Sequence, residues 1–344
     1  MFSTIDTSTH DAIKAKLAGP YGGRETSAME PIVDDMVKSF TQHLRDQTSR
    51  GPVQTCVVNF AHVVMYFTMD VITRVSFGKE LGFLRTGSDV FGLMEAARIL
   101  EDTIKKRYEP GAPDEKDLLG AFIRSGLSLG HCISEALFAM SAGSDTTASA
   151  IRFTMLHLMT TPRVYYNLKQ AVRQAVRDGQ VSSPIKSEEA KAIPYLQAVI
   201  YEGLRMRPPA PIKFPKVVPP RGDVIDGKFI PGGTAVGWNL LPMMRSPRHW
   251  GHDGDIFRPE RFTEADENTR LAMERLVEMV FGHGRFGCAG KPLAVMELNK
   301  VYFELFRHFD FQLVNPAKPW HSELWSIWMD DDFFVQITEA QHNG

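Results

Sequence analysis

Cysteine is scarce. The 344 residues hold three, Cys56, Cys132 and Cys288, far apart in the chain. That excludes a disulfide framework and fits a reducing compartment. Long apolar runs are missing too. The longest uncharged stretch, Gly51 to Met69, contains Pro52, Gln54, Asn59 and His62, which makes it a poor membrane span. No apolar run follows Met1, so no signal peptide is expected. The formal net charge is only −2, so nothing points to nucleic acid or acidic lipid as a partner. No phosphate-binding Gly loop, HExxH, CxxC, internal repeat or low-complexity tract occurs. The glycines at 287 and 290 do not follow a strand in a βαβ unit, which rules out a dinucleotide fingerprint there.

What is present is enough apolar material for a sizeable core, 43% of the chain, in a length that allows one large or two medium domains. Helical periodicity dominates. Expected helices are Thr9–Ala18, closed by Gly19-Pro20; Glu30–Leu44; a strongly apolar Val57–Phe77; about Met94–Tyr108; one opened by Asp117; Ser134–Met159; Val164–Asp178; Tyr195–Met206; and one running from after Cys288 to about Phe309. The β signal is confined to alternation over Lys213–Val218, a hairpin at Asp223–Ile230 around Asp226-Gly227, a turn at Pro231-Gly232-Gly233-Thr234 into Ala235–Trp238, and strands at Phe311–Val314 and Phe333–Ile337.

One stretch organises the rest: Phe281-Gly282-His283-Gly284-Arg285-Phe286-Gly287-Cys288-Ala289-Gly290, followed by Lys291-Pro292 at the start of a helix. Proline suits a first helical turn. A thiol just ahead of a helix N-terminus meets the positive end of the dipole and free N–H groups, which favour the thiolate and lower its pKa. Four glycines in ten residues let the backbone turn sharply against something flat. A thiolate so presented is suited to haem iron. A lone cysteine is otherwise most often a small buried hydrophobe.

Phe281, Gly282, Gly284, Cys288 and Gly290 resemble the haem-binding loop of the cytochrome P450 family. Members usually carry a basic residue two places before the cysteine; here that place is Phe286, and Arg285 stands one residue earlier, as in a filamentous-fungal branch of the pisatin-demethylase type. The resemblance implies that Cys288 ligates the iron of haem b. A helix with basic residues near the haem propionates would be the one holding His10 and Lys14, one turn apart; the alternative is a solvated basic face. Lys213 is a further propionate candidate.

Ala142-Gly143-Ser144-Asp145-Thr146-Thr147 lies in the long apolar helix. Ser144 or Asp145 could cap a new helix. Alternatively the helix passes through, with Gly143 against a flat ligand and Asp145 and Thr146 together at the opening as a proton relay. The string resembles the family's oxygen-activation segment, which favours the second reading. Glu202 and Arg205, three residues apart, resemble the family's Glu-x-x-Arg, with Arg261 of Phe257-Arg258-Pro259-Glu260-Arg261-Phe262 as the third member of a structural cluster.

The resemblance implies one mainly α domain over residues 1–344, with small antiparallel sheets. It also implies a monooxygenase that takes electrons from an NADPH–cytochrome P450 reductase, uses dioxygen and oxidises a small apolar secondary metabolite. The span Glu95–His131 is too short for the two helices that roof the pocket in complete members. Complete members also begin further upstream, with an anchor to the endoplasmic reticulum; the chain as given is expected to be cytoplasmic, with membrane contact but no transmembrane helix. The alternatives are a degenerate relative acting as an interaction protein, or a haem protein that rearranges or dehydrates an oxidised substrate.

Overall fold

The computed structural model describes residues 4, 6–21, 26–51, 54–88, 92–179, 181–212 and 214–340, without the side chains of 26–28, 92–94 and 96. Helix α1 spans Thr7–Tyr21 and α2 spans Thr26–Arg50. Strand β1 (Thr55–Asn59) leads into α3 (Phe60–Phe77), a short α4 (Phe83–Thr86), α5 (Gly92–Arg107), α6 (Leu118–Arg124) and the 32-residue α7 (Leu129–Thr160). Helices α8 (Pro162–Arg177), α9 (Ser187–Lys191) and α10 (Pro194–Met206) follow. Short strands β2 (Lys216–Val217), β3 (Asp223–Ile225), β4 (Lys228–Ile230) and β5 (Ala235–Val236) precede the small helices α11 (Leu240–Met243), α12 (Pro247–Trp250), α13 (Glu260–Glu264) and α14 (Glu267–Val277). Helix α15 (Lys291–His308) and strands β6 (Phe309–Leu313), β7 (His321–Leu324), β8 (Trp328–Asp331) and β9 (Phe334–Glu339) end the chain.

Local chemistry sets several boundaries. Val57 does not begin a helix: residues 55–59 pair antiparallel with β9, Cys56 opposite Ile337, and the β-branched Val57 and Val58 suit that role. Asn59 then caps α3, its side-chain oxygen accepting from Ala61 N at 3.2 Å. Gly78, in the left-handed region at φ 71°, closes the same helix. Helix α1 runs through Gly19-Pro20 to Tyr21, because Leu17 and Pro20 are buried and Tyr21 packs on Phe122 at 5.5 Å. Asp117 caps α6 by accepting from Gly120 N at 2.7 Å, and Arg107 grips the same carboxylate at 2.8 and 2.9 Å. Among the described residues, α5 and α6 are the only helices between α4 and α7.

The main sheet has the order β1–β9–β6, all antiparallel; β2–β5, β3–β4 and β7–β8 form separate two-stranded pairs. The core lies between α2, α3, α7, α10 and α15. Phe40 stacks on Phe67 at 4.8 Å, and Tyr302, Phe303 and Phe306 of α15 are at most 1% exposed. Each such aromatic contributes roughly 1.5–3 kcal/mol by burial. This packing fixes α7 against α3 on one side and α15 on the other. No helix among the described residues is long and apolar enough to cross a membrane.

Candidate active site

A cavity of about 510 Å³ opens between α7 and the glycine-rich loop. Gly143, Thr146 and Ala150 form part of one wall, and Phe281, Cys288 and Ala294 part of the other. A more polar and more open depression of about 690 Å³ lies over α2 and α4; it holds none of the candidate site residues.

The loop needs its glycines. Gly282 has φ 72° and Gly284 φ 61°, both in the left-handed region, and a Cβ at 282 would meet the Phe286 carbonyl at 3.0 Å. The turn closes when Cys288 N donates to Phe281 O at 2.7 Å. Helix α15 begins two residues later, with Gly290 as its N-cap and proline in the first turn. The Cys288 side chain is therefore enclosed by its own loop yet exposed toward the cavity. The expected depression of its pKa is not what results. Burial pushes the thiol up, and this outweighs the N–H groups of Gly290 and Lys291 and the charges of Lys14 and Lys291, which pull the other way.

Basic groups gather at Phe286. Lys14 and His10 both line the cavity from α1. Lys14 Nζ donates to the carbonyls of Arg285 at 2.5 Å and Gly287 at 2.9 Å. The His10 ring, 6% exposed, sits 5.0 Å from the Phe286 ring. Lys216 Nζ lies over that ring, 3.8 Å from its centroid, and also lines the cavity; sequence reasoning missed it. Burial pulls both Lys14 and Lys216 below the usual lysine range. Arg285 turns away, half exposed, to Asp11 at 3.3 Å. Lys213 lies outside the described residues.

Helix α7 passes straight through residues 142–147, so neither Ser144 nor Asp145 caps a new helix. Ser144 Oγ donates to Met140 O and Thr146 Oγ1 to Ala142 O, both at 2.7 Å. Gly143 makes room for Ile72 as well as for the cavity: a Cβ there would stand 2.9 Å from the Ile72 side chain. Thr146 belongs to the cavity wall; Asp145 does not, and sits partly buried on the adjoining flank of the helix. The pair expected side by side at the opening is thus split between wall and flank. Burial raises the Asp145 carboxyl above the usual range, and Arg152 opposes that rise.

Behind the loop, Arg205 bonds Glu202 through Nε at 2.7 Å and Nη2 at 2.9 Å, and Arg261 Nε reaches Glu202 at 3.1 Å. All three are buried. Arg205 also donates to the carbonyls of Met244 and Gly254, tying α10 to the segment before α13. Two further cavity residues carry buried polar atoms without a partner among the described residues, Trp238 Nε1 and Glu297 Oε2. Burial alone lifts the Glu297 carboxyl well above its ordinary value.

The arrangement fits a flat, largely apolar ligand bearing acidic groups. Its faces are met by Gly143 and alanines, the Cys288 sulfur is exposed toward it, and cations stand at Phe286. Among the described residues no cluster of three or more His, Cys, Asp and Glu is placed to hold a metal ion.

Comparison with known proteins agrees. The cytochrome P450 family model matches residues 91–337. "Cytochrome P450 monooxygenase aba1" of Botryotinia fuckeliana is 39% identical over 386 residues, covering 99% of this chain and 76% of that protein. "Cytochrome P450 monooxygenase ABA1" of Pyricularia oryzae is 39% identical, over 98% of this chain and 75% of that one. Pisatin demethylase of Fusarium vanettenii is 28% identical, over 94% and 70%.

Proposed function

The chain belongs to the cytochrome P450 family of haem monooxygenases, and from that premise we propose that it inserts an oxygen atom from dioxygen into a small apolar substrate, using electrons from an NADPH-dependent reductase. The observation that carries this reading is the Cys288 sulfur, exposed into a cavity whose facing wall is Gly143 and Thr146. Bound there, haem would supply the iron that activates dioxygen, and Cys288 would hold that iron through its sulfur.

The remaining roles fall to side chains of this chain. Lys14, Lys216 and His10 would neutralise the propionates, because they are the basic groups gathered on the cavity at Phe286. Arg285, engaged with Asp11, would contribute through its carbonyl to Lys14 rather than through its guanidinium. Thr146 Oγ1 presents an oxygen on the wall, and Asp145 on the flank would feed it protons. Glu202, Arg205 and Arg261 would hold the segment that carries the cysteine loop. Ile72, Phe138 and Ala139 give the substrate side an apolar character. Residues 1–344 would act as one domain. In a product that retains the family's anchor, the protein would sit on the endoplasmic reticulum.

The short span 95–131 would reflect a coding segment absent from this sequence. Its support is the aligned span of 386 residues, longer than the 344-residue chain itself. Transcripts without any additional coding segment there would refute that explanation.

Turnover with the purified reductase tests the reaction. Oxygen-18 from labelled dioxygen should enter the product in step with NADPH consumed. Product without label from a haem-loaded enzyme would point to rearrangement or dehydration instead. A haem-free folded protein would favour an interaction role.

A further inference from the structure

Arg152 interrupts the apolar run that continues α7 beyond the oxygen-activation segment. It is 3% exposed, and among the described residues no carboxylate lies within ion-pair distance of it. Its Nε and Nη2 both donate to a single backbone carbonyl, that of Ala61 on α3, at 3.1 and 2.6 Å. A guanidinium stays protonated in a protein. A full positive charge is therefore held in the interior with only a carbonyl for company, which is costly unless negative charge lies nearby.

Three carboxylates are near enough to be felt: Asp330, Asp145 and Asp331, with the Arg207 cation working against them. Two already have partners. Asp330 accepts from Arg207 at 2.7 Å and from Ser322 at 2.6 Å. Asp331 is paired with His62 and Asn59, each at 2.9 Å. Asp145 has no side-chain hydrogen bond or ion pair among the described residues. It stands seven residues before Arg152 on one unbroken helix, about 20° short of two full turns and roughly 10 Å along the axis, so the two share a face. The α3 residue that meets α7 at Gly143 is the apolar Ile72.

We propose that Arg152 is the counter-charge of Asp145, a positioning residue whose fixed cation keeps that partly buried carboxyl able to release and regain a proton beside Thr146. This rests on the monooxygenase reading for its use, but not for its measurement. Without the cation, burial would act unopposed and hold this carboxyl further toward its protonated form. The directions agree: burial raises the Asp145 carboxyl, and Arg152 is the charged group that pulls it back.

The test is infrared titration of the haem-loaded full chain, following the protonated-carboxyl band that Asp145→Asn abolishes. Arg152→Gln keeps a donor for Ala61 O and removes the charge; it should raise the midpoint by about one pH unit or more. Arg152→Lys should leave it near the wild-type value. An unchanged midpoint in the Gln variant, or a Lys variant shifted as far as Gln, overturns the proposal. Should the Gln variant fail to fold, Arg152→Met decides by the same midpoint: a rise of about one pH unit supports the counter-charge, and an unchanged value overturns it. The haem-thiolate reading fails separately, by a missing thiolate spectrum, whatever the infrared midpoint.

Discussion

Lys14 Nζ lies 2.9 Å from the carbonyl oxygen of Gly287, so the first helix of the chain holds the residue directly before Cys288. The same ammonium bonds Arg285 O. One side chain thus fixes the backbone on both flanks of Phe286 and places its charge on the cavity.

Removing that clamp should loosen the cofactor. Two charge-assisted bonds in a half-exposed setting are together worth about 1–2 kcal/mol after allowance for solvent screening. Lys14→Met should therefore release haem roughly tenfold faster to an acceptor protein. An unchanged release rate would show that the clamp serves the loop alone.

Phe286 and Arg285 make a sharper contrast. Arg285 is half exposed and turned to Asp11, whereas Lys216 lies against Phe286 on the cavity. Arg285→Ala should leave haem content near wild type and stability within about 0.5 kcal/mol. Lys216→Met should lower haem content several-fold at the same protein concentration. The reverse ranking in a haem assay would return the propionate role to Arg285.

The Glu202 cluster is a stability device. Glu202→Ala would leave Arg205 and Arg261 buried without their carboxylate, at a cost of about 3–5 kcal/mol. Urea unfolding should show the loss in full. A change under about 1 kcal/mol would mean that the carbonyls of Met244, Gly254 and Ile256 suffice to hold the two guanidinium groups.

Glu297 provides the pH dependence. Its folded carboxyl is raised far above the ordinary 4.5, so between that value and its folded pKa the native state binds more protons than the unfolded chain. Stability from this group is then fully present at low pH and declines as pH rises, by roughly 1.4 kcal/mol per pH unit within the window. Glu297→Gln stays neutral at every pH. The stability difference between variant and wild type should widen in favour of Gln as pH rises above about 4.5. A difference that stays constant with pH would contradict a neutral buried acid.

Much of this was legible in the sequence, and the rest was not for identifiable reasons. Long amphipathic segments such as 164–178 show their helices because Val164, Leu168 and Val172 recur at helical spacing. Strand β1 was hidden, since an apolar run before a helix looks the same whether it pairs with β9 or extends α3. The hairpin β7–β8 carried little periodic signal, with three of its first four residues exposed. Motif residues came out near one another because each has a fixed local geometry: the glycine turns at 282 and 284, the helix start at 291, the three-residue step from Glu202 to Arg205. Lys216, Trp238 and Glu297 escaped because they matter through long-range neighbours. The Cys288 shift ran opposite to the dipole argument because burial, which local sequence does not reveal, outweighs two N–H groups. The separation of Asp145 from Thr146 follows from a 100° step per residue once the helix is continuous.

The most direct measurement is the carbon-monoxide difference spectrum of the reduced, haem-loaded protein beside Cys288→Ala. Thiolate ligation by Cys288 predicts a strongly red-shifted Soret band in the wild type and its loss in the variant. A haem-loaded wild type without that band, or a Cys288→Ala protein that keeps it, would contradict the account.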